Sequence, residues 1–505
     1  MSWRGPVAAR TAVLLCGNVL LAFVVRLYRL GHENFWIDEV FQVQVASQSL
    51  SDIAANYSPQ QARYGTHEQT TLSDQAPLSF FITHFFLSPF ETETMARLPS
   101  AIFGTLGVLA LFSVAYRLVS PKVALLATFL LAISPIHIWY SQEARWYALW
   151  GLLSTLSYLP LINALQRRRV RDWFTYGFLT LLNLYTFVFA FLVIASQAVT
   201  TWWQSRRAAQ ANRVLESFAL VHLLVACAAA PVLSFIMNAA GAISGTPRDA
   251  GWAVLPYTFF AYAAGFSIGP TVGELHALPR VITLLTTYPS ILLFFVVFLP
   301  LTLIGVRRVM ENQSAAAVLL PWLVVPPVLV FAIGLASDVT YQVRYSLASL
   351  PAFVLIIAQG ASSLKHQTVR RAAIAAVSLC STVSVGNYYW HPRYGKEDVR
   401  AAVGYIRDAM RENVPVIVAG QIHLAVQYYG PDLDVIKAES CGGELHAGLL
   451  GESSVPAQAL WIIAGRDWAD KAAICRDKLS LIYNAVEHRR FTGVALWLLL
   501  PHDNQ

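Results

Sequence analysis

Charge is scarce in this 505-residue chain. Charged residues make up 13% of it, about half the share of an ordinary soluble domain, while 56% is hydrophobic. That balance excludes a soluble globular protein. Cysteine is sparse too, and the five present show no metal-ligand spacing. Cys16, Cys227 and Cys380 fall in apolar runs and read as core residues. Cys441 and Cys475 fall in the C-terminal segment, where a disulfide between them is open if that segment meets an oxidising compartment. The chain has no internal repeat and no low-complexity tract. It also offers no aromatic-interleaved basic surface to nucleic acid. The first apolar run lacks a small-x-small cleavage site and continues past Arg26 to Leu30, so it reads as a retained span.

What is present is a series of apolar runs, each about 20 residues long and able to cross a bilayer. About eleven recur before position 390, near 11–29, 98–117, 122–140, 146–164, 173–186, 188–204, 214–238, 284–306, 315–335, 346–364 and 371–388. The fifth and sixth are short enough to be one bent element. The fold class is an α-helical polytopic membrane protein. Its net charge of +7 comes in short clusters between spans: Arg167 to Arg169 with Arg171, Arg206-Arg207 with Arg213, Arg307-Arg308, and Lys365 with Arg370-Arg371. Placing the N-terminus in the cytoplasm puts all of these on the cytoplasmic side, as the positive-inside rule requires. The outer face then receives the loop 30–97, the junction 141–145, the loop 239–283 and everything after about 389. Leu78 to Leu87 and Phe259 to Phe266 read as short helices along the membrane surface.

Two domains follow: residues 1–388 in the membrane and 389–505 outside it, a small α/β unit. In the second, Lys396 to Arg411 carries apolar residues at helical spacing. Val416 to Ala419, Leu433 to Ile436 and Leu460 to Ala464 read as strands, followed by a helix Trp468 to Leu479 and an apolar run Leu496 to Leu500.

Against this apolar background, three charged elements stand out, and the topology puts all of them at the outer face. Asp38-Glu39 follows the first span; Glu143 and Arg145 interrupt the third and fourth; Arg344 opens the tenth. Two residues apart on a helix, Glu143 and Arg145 would be about 200° apart around the axis and poorly placed to pair. Each therefore needs another partner or a ligand. Their flanks Trp139, Tyr140, Trp146 and Tyr147 resemble an interfacial aromatic belt, and charge at that depth usually serves a pathway or a site. Carboxylates and arginines beside a bilayer suit a lipid-linked phosphate. Guanidinium groups grip phosphate and stabilise it as a leaving group, and a carboxylate can take a proton from an attacking hydroxyl.

The acidic pair, the stretch Tyr140-Ser141-Gln142-Glu143-Ala144-Arg145-Trp146-Tyr147-Ala148-Leu149 and Arg344-Tyr345 resemble the GT-C glycosyltransferases of the protein O-mannosyltransferase and aminoarabinose-transferase group. Gln75-Ala76-Pro77-Leu78 with His84, Leu184-Tyr185-Thr186 and Lys396-Glu397-Asp398-Val399-Arg400 match in the same order along nearly the whole chain. The resemblance implies inverting transfer of a sugar from a polyprenyl-phosphate donor to a protein, lipid or glycan, at the outer face of a bacterial cytoplasmic membrane. It casts Asp38 as general base, with Glu39 supporting it. Glu143, Arg145, Tyr147, Arg344 and Tyr345 would line the donor pocket, both arginines on the phosphate, and His84 would stand on the acceptor side. The chain departs from the family at Gln75-Ala76-Pro77, where members often have His-Pro-Pro, and at Phe187, where they have histidine. His67-Glu68 and His32-Glu33 are not spaced as a ligand set, so no metal is expected. Transfer of a whole oligosaccharide is disfavoured by the lack of a WWDYG-like motif. A lipid-linked sugar transporter is the alternative from another class, but the absence of repeats and the one-sided charge speak for the enzyme.

Overall fold

The computed structural model describes residues 6–57, 76–87, 92–206, 211–239, 252–271, 274, 286–337, 341–409, 414–420, 422–438, 459–465, 480 and 483–502. The chain enters through α1 (Pro6–Leu27). Three short helices follow: α2 (Ile37–Ala46), α3 (Leu50–Ala55) and α4 (Leu78–Leu87). Then come α5 (Glu93–Leu118), α6 (Pro121–Ala132), α7 (Pro135–Ser141) and α8 (Tyr147–Arg167). Thr92 and Ser120 cap α5 and α6, each side chain accepting a backbone N–H of the first turn. Pro135 forces the residue before it out of helical geometry, and α6 and α7 meet there at 58°.

Among the described residues seven helices are long and apolar enough to cross a membrane, or eight if the bent pair α6–α7 counts as one span. The remaining expected spans are helical but shorter or broken. Val170–Leu184 and Ala190–Ser205 have 15 and 16 residues, and the run from Ile291 to Glu311 passes through a π-helical turn at Phe294–Phe298. The spans differ in how much of themselves they hide. Val343–Ser362 is 89% buried, whereas Ala9–Leu27 and Ala211–Ser234 are each 17% buried. This corrects the reading of Cys16 and Cys227 as core residues. Both are exposed on those outward helices, and of the three only Cys380 is buried. An apolar side chain facing lipid gains nothing by turning inward, so apolarity alone does not imply burial here.

The C-terminal part is a five-stranded mixed sheet, β1 (Val416–Ala419), β2 (Val435–Ala438), β3 (Leu460–Gly465), β4 (Tyr483–Phe491) and β5 (Val494–Pro501), in the order β2-β1-β3-β5-β4. β1 runs parallel to β2 and β3, and β5 antiparallel to β3 and β4. Helices Val399–Ala409 and His423–Tyr429 pack on it. The expected strands are present within a few residues. β4 and the helix His423–Tyr429 were not foreseen. β4 is an exposed edge strand bearing Glu487, Arg489 and Arg490, charges that blunt an edge and mask its apolar signal. The helix Trp468 to Leu479, Cys441 and Cys475 lie outside the described residues.

Candidate active site

The stretch between α7 and α8 is pinned residue by residue. Its anchor is Arg26, fully buried near the end of α1. Arg26 donates to the carbonyls of Ala22 and Ala132 at 2.9 and 3.0 Å and of Leu131 at 3.3 Å, and to Ser141 Oγ at 3.2 Å. Its Nη2 also meets His137 Nδ1 at 2.6 Å. The guanidinium thus satisfies carbonyls freed where α6 ends, which lets the chain leave helical geometry inside the protein. Gly104 makes room for this. A Cβ there would stand 2.0 Å from Ser141 Oγ and 3.1 Å from Arg26 Nε.

The next residues each find their own tether. Gln142 donates to the carbonyls of Arg26 and Tyr28, both at 2.8 Å. Glu143 Oε1 accepts the Trp139 indole N–H at 2.7 Å. The Ala144 N–H donates to Glu39 Oε1 at 2.8 Å, and the Arg145 carbonyl accepts from Ser100 Oγ at 3.0 Å. Glu143 and Arg145 are therefore not on one helix, and each has a separate partner.

α2 brings in the two adjacent acids, about 100° apart around its axis. Glu39 is wholly buried. Arg97 donates to both of its oxygens, at 2.7 and 2.8 Å, and Lys396 Nζ donates to Oε2 at 2.8 Å. Burial alone would raise its pKa; the charges and hydrogen bonds of Arg97 and Lys396 outweigh that and hold it at about 2. Asp38 is different. Its side chain is 18% exposed, and Oδ2 lies 3.3 Å from Arg344 Nη1 and 3.6 Å from Arg145 Nη2. Arg145 also donates to the Asp38 carbonyl at 3.1 Å. Its guanidinium lies 3.6 Å from the Trp146 ring centre, and that of Arg344 lies 5.8 and 5.7 Å from the rings of Tyr147 and Tyr345.

Around Asp38 the polar groups are incompletely used. Glu143 Oε2, Arg145 Nε, Tyr147 OH and Arg344 Nε are buried without a hydrogen-bond partner among the described residues, as are the indole nitrogens of Trp36, Trp146 and Trp150. Leaving such a group unpaired costs about 1–3 kcal/mol each, so a cluster of them marks a place built for something other than stability. Burial also raises the Glu143 carboxyl, and Glu39 adds to this while Lys396, Arg344 and the Trp139 bond oppose it; the balance stands at about 7. Near neutrality that group is free to gain or lose a proton.

The sequence expectations divide here. Asp38, Arg145, Tyr147 and Arg344 come together, with Glu143 on the same stretch and Tyr345 stacked on Phe189 at 4.4 Å. Phe187 is fully buried among Trp146, Tyr147, Trp150 and Tyr345. Glu39 belongs to a neighbouring cluster. His84 meets the Ala46 carbonyl at 2.8 Å, at the far end of α2. Gln75, His67 and Glu68 lie outside the described residues. Reading the sequence passed over Arg26 and Arg97, and assigned no role to Lys396. The available signal for Arg97 was a cation at the start of a span on the side where cations are depleted.

The whole-chain fold is shared with solved structures at low sequence identity. It is similar to the crystal structure of ArnT from Cupriavidus metallidurans bound to undecaprenyl phosphate, with a TM-score of 0.53 at 12% identity over 95% of this chain and 97% of that one. It is also similar to an oligosaccharyltransferase from Archaeoglobus fulgidus in complex with zinc and sulfate, with a TM-score of 0.55 at 12% identity over 96% and 72%. No curated protein matches by sequence. Residues 74–235 match the profile of the dolichyl-phosphate-mannose-protein mannosyltransferase family. That segment includes Glu143, Arg145 and Tyr147. That match favours the enzyme over the transporter.

Proposed function

We propose that the protein transfers a single sugar from a polyprenyl-phosphate donor to a hydroxyl acceptor, with inversion at the anomeric carbon. The bundle would cross the cytoplasmic membrane about eleven times, with the N-terminus inside and residues 389–505 outside. Asp38 would take the proton of the acceptor hydroxyl as its oxygen attacks the anomeric carbon. The bond from that carbon to the phosphate oxygen breaks, and polyprenyl phosphate leaves with its charge held by Arg145 and Arg344. Glu143, Tyr147 and Tyr345 would line the donor pocket, and Glu39 would hold the loop at Ala144 in place. The acceptor is a protein, lipid or envelope glycan, with His84 on its side.

The observation that carries this reading is one carboxylate between two arginines, each with a buried Nε that has no hydrogen-bond partner among the described residues. At 3.3 and 3.6 Å the arginines are loosely held by Asp38. An arriving phosphate offers shorter, bidentate partners and frees the carboxylate to act as a base. Among the described residues no three acidic, histidine or cysteine side chains gather as a metal-binding group; metal independence is tested by adding chelator to an active preparation.

The test follows turnover of polyprenyl-phosphate-linked mannose, glucose, galactose, arabinose and aminoarabinose in membranes carrying wild type, Asp38→Asn or Arg145→Ala. Wild type should consume one donor, Asp38→Asn should bind it without turnover, and Arg145→Ala should bind it weakly. If wild type consumes none but moves the lipid between leaflets, the reading fails.

A further inference from the structure

α2 carries Asp38, and its sides are packed by two different parts of the chain. Phe41 and Val45 share a core with Phe80 of α4 and with Val232. Val40 and Val43 turn elsewhere. They join one core with Val399 and Val403 of the helix Val399–Ala409 and with Val426 of the helix His423–Tyr429. The core of the C-terminal part therefore does not close on itself; α2 completes it.

Three polar ties reinforce that packing, and they bracket Asp38. Asn34 donates to the Glu397 carbonyl at 2.7 Å. The Phe35 N–H donates to Tyr429 Oη at 2.7 Å, and Tyr429 in turn donates to Glu93 at 3.0 Å. On the other side of Asp38, Lys396 Nζ donates to Glu39 Oε2 at 2.8 Å, with only 7% of the lysine side chain exposed. Lys396 is itself anchored, because its backbone N–H donates to Glu33 at 2.7 Å.

Of the three, the lysine reaches furthest. The Glu39 carboxylate that it holds also accepts the Ala144 N–H through Oε1, and Ala144 stands between Glu143 and Arg145. One carboxylate thus joins α2 to the opposite wall of the site. Arg97 already meets both Glu39 oxygens, so neutralising that anion does not require a second cation. Burying one costs desolvation, which points to a role other than charge balance. The Lys396 charge also bears on Glu143, where it favours the carboxylate. The other titratable groups facing Glu143 are Glu39, Arg344, Tyr140 and Tyr388.

We propose that the C-terminal part is a positioning element of the transfer site and that Lys396 is its positioning residue. Docked on α2, it fixes where Asp38 stands relative to Arg145. The catalytic consequence rests on the sugar-transfer reading; the mechanical coupling to α2 does not.

The experiment compares full-length wild type, Lys396→Met and Lys396→Arg by donor turnover across pH, by donor binding and by hydrogen–deuterium exchange of Ile37–Ala46. Lys396→Met should lower kcat about ten- to a hundredfold, the scale of a small misplacement of reacting groups. Donor affinity should fall less, since Arg145 and Arg344 keep their charges. Any limb of the pH profile that Glu143 controls should move to higher pH, because a cation favouring its charged form is gone. Exchange in α2 should rise. Lys396→Arg keeps the charge and should recover most of each effect. Wild-type kcat and pH profile in Lys396→Met, or unchanged exchange in α2, would overturn the proposal and leave Lys396 a merely structural residue. If wild type consumes no donor, the sugar-transfer reading fails by itself, and α2 exchange alone decides the coupling: a rise in Lys396→Met supports it and no change overturns it. Should Lys396→Met fail to fold, Tyr429→Phe, which removes the hydroxyl that accepts the Phe35 N–H, is read in the same way and with the same expected signs.

Discussion

Asp38 and Glu39 are neighbours in sequence, yet they sit in clusters of opposite character. Around Glu39 every charge has a partner: a bidentate arginine, a lysine and a backbone N–H share two buried oxygens. Around Asp38 one oxygen is shared by two arginines at longer range, and several buried donors and acceptors are unspent. A saturated cluster has nothing left to offer a ligand and serves to hold shape. An unsaturated one is poised to bind. The same residue types thus form a saturated and an unsaturated cluster on one short helix, and saturation tells them apart.

The comparison is broken most sharply at Asp38. Asp38→Asn should lower turnover about a hundred- to ten-thousandfold, the usual worth of a general base, with donor binding and thermal midpoint kept; radiolabelled donor consumption reads this directly. Next comes Arg97→Ala, which takes the bidentate partner from a buried carboxylate and should cost about 3–5 kcal/mol of stability, seen as a lowered midpoint of tryptophan fluorescence. Should Arg97→Ala melt with wild type, Glu39 does not act as a scaffold.

Arg344→Ala should do the reverse. Its side chain is 20% exposed, so the midpoint should barely move, while donor affinity should fall about tenfold to a hundredfold with the loss of a charged hydrogen bond. Equilibrium binding of the donor measures it.

The pH response separates the two buried glutamates. Glu39 is held at about 2 against an ordinary 4.5, so its contribution to stability is full above 4.5 and is lost as pH falls toward 2. Glu143 is raised to about 7 from 4.5. The folded protein then binds more protons than the unfolded chain between those values, and stability declines as pH rises through that window. Melting Glu143→Gln across pH 4.5 to 7 should show this decline removed. The smallest effect is expected from Trp139→Phe. It deletes the indole N–H that favours the charged Glu143 and should move any activity limb controlled by that group to higher pH, which a pH–rate profile would reveal.

Much of this site was legible in the linear chain. A glutamate and an arginine amid long apolar runs are costly enough in a bilayer to announce themselves, and Asp38, Glu143, Arg145 and Arg344 were read that way. Arg26 and Arg97 escaped because each looks like an ordinary flanking cation at a span end. Only the meeting of α1 with the α6–α7 bend, and of α2 with α5, gives them their buried partners. Cys16 and Cys227 were misread for the converse reason, since an apolar run does not say which of its sides faces lipid.

Composition and periodicity by themselves determined that this is a multi-pass helical protein with a small mixed α/β part at its C-terminal end, because the bilayer and the sheet each impose a length and a pattern on the chain. The tertiary structure alone decided which of two adjacent carboxylates is spent and which is available. That choice depends on Arg97, Lys396, Arg145 and Arg344, brought from far along the chain to opposite sides of one short helix. No local pattern encodes how completely a buried charge will be satisfied.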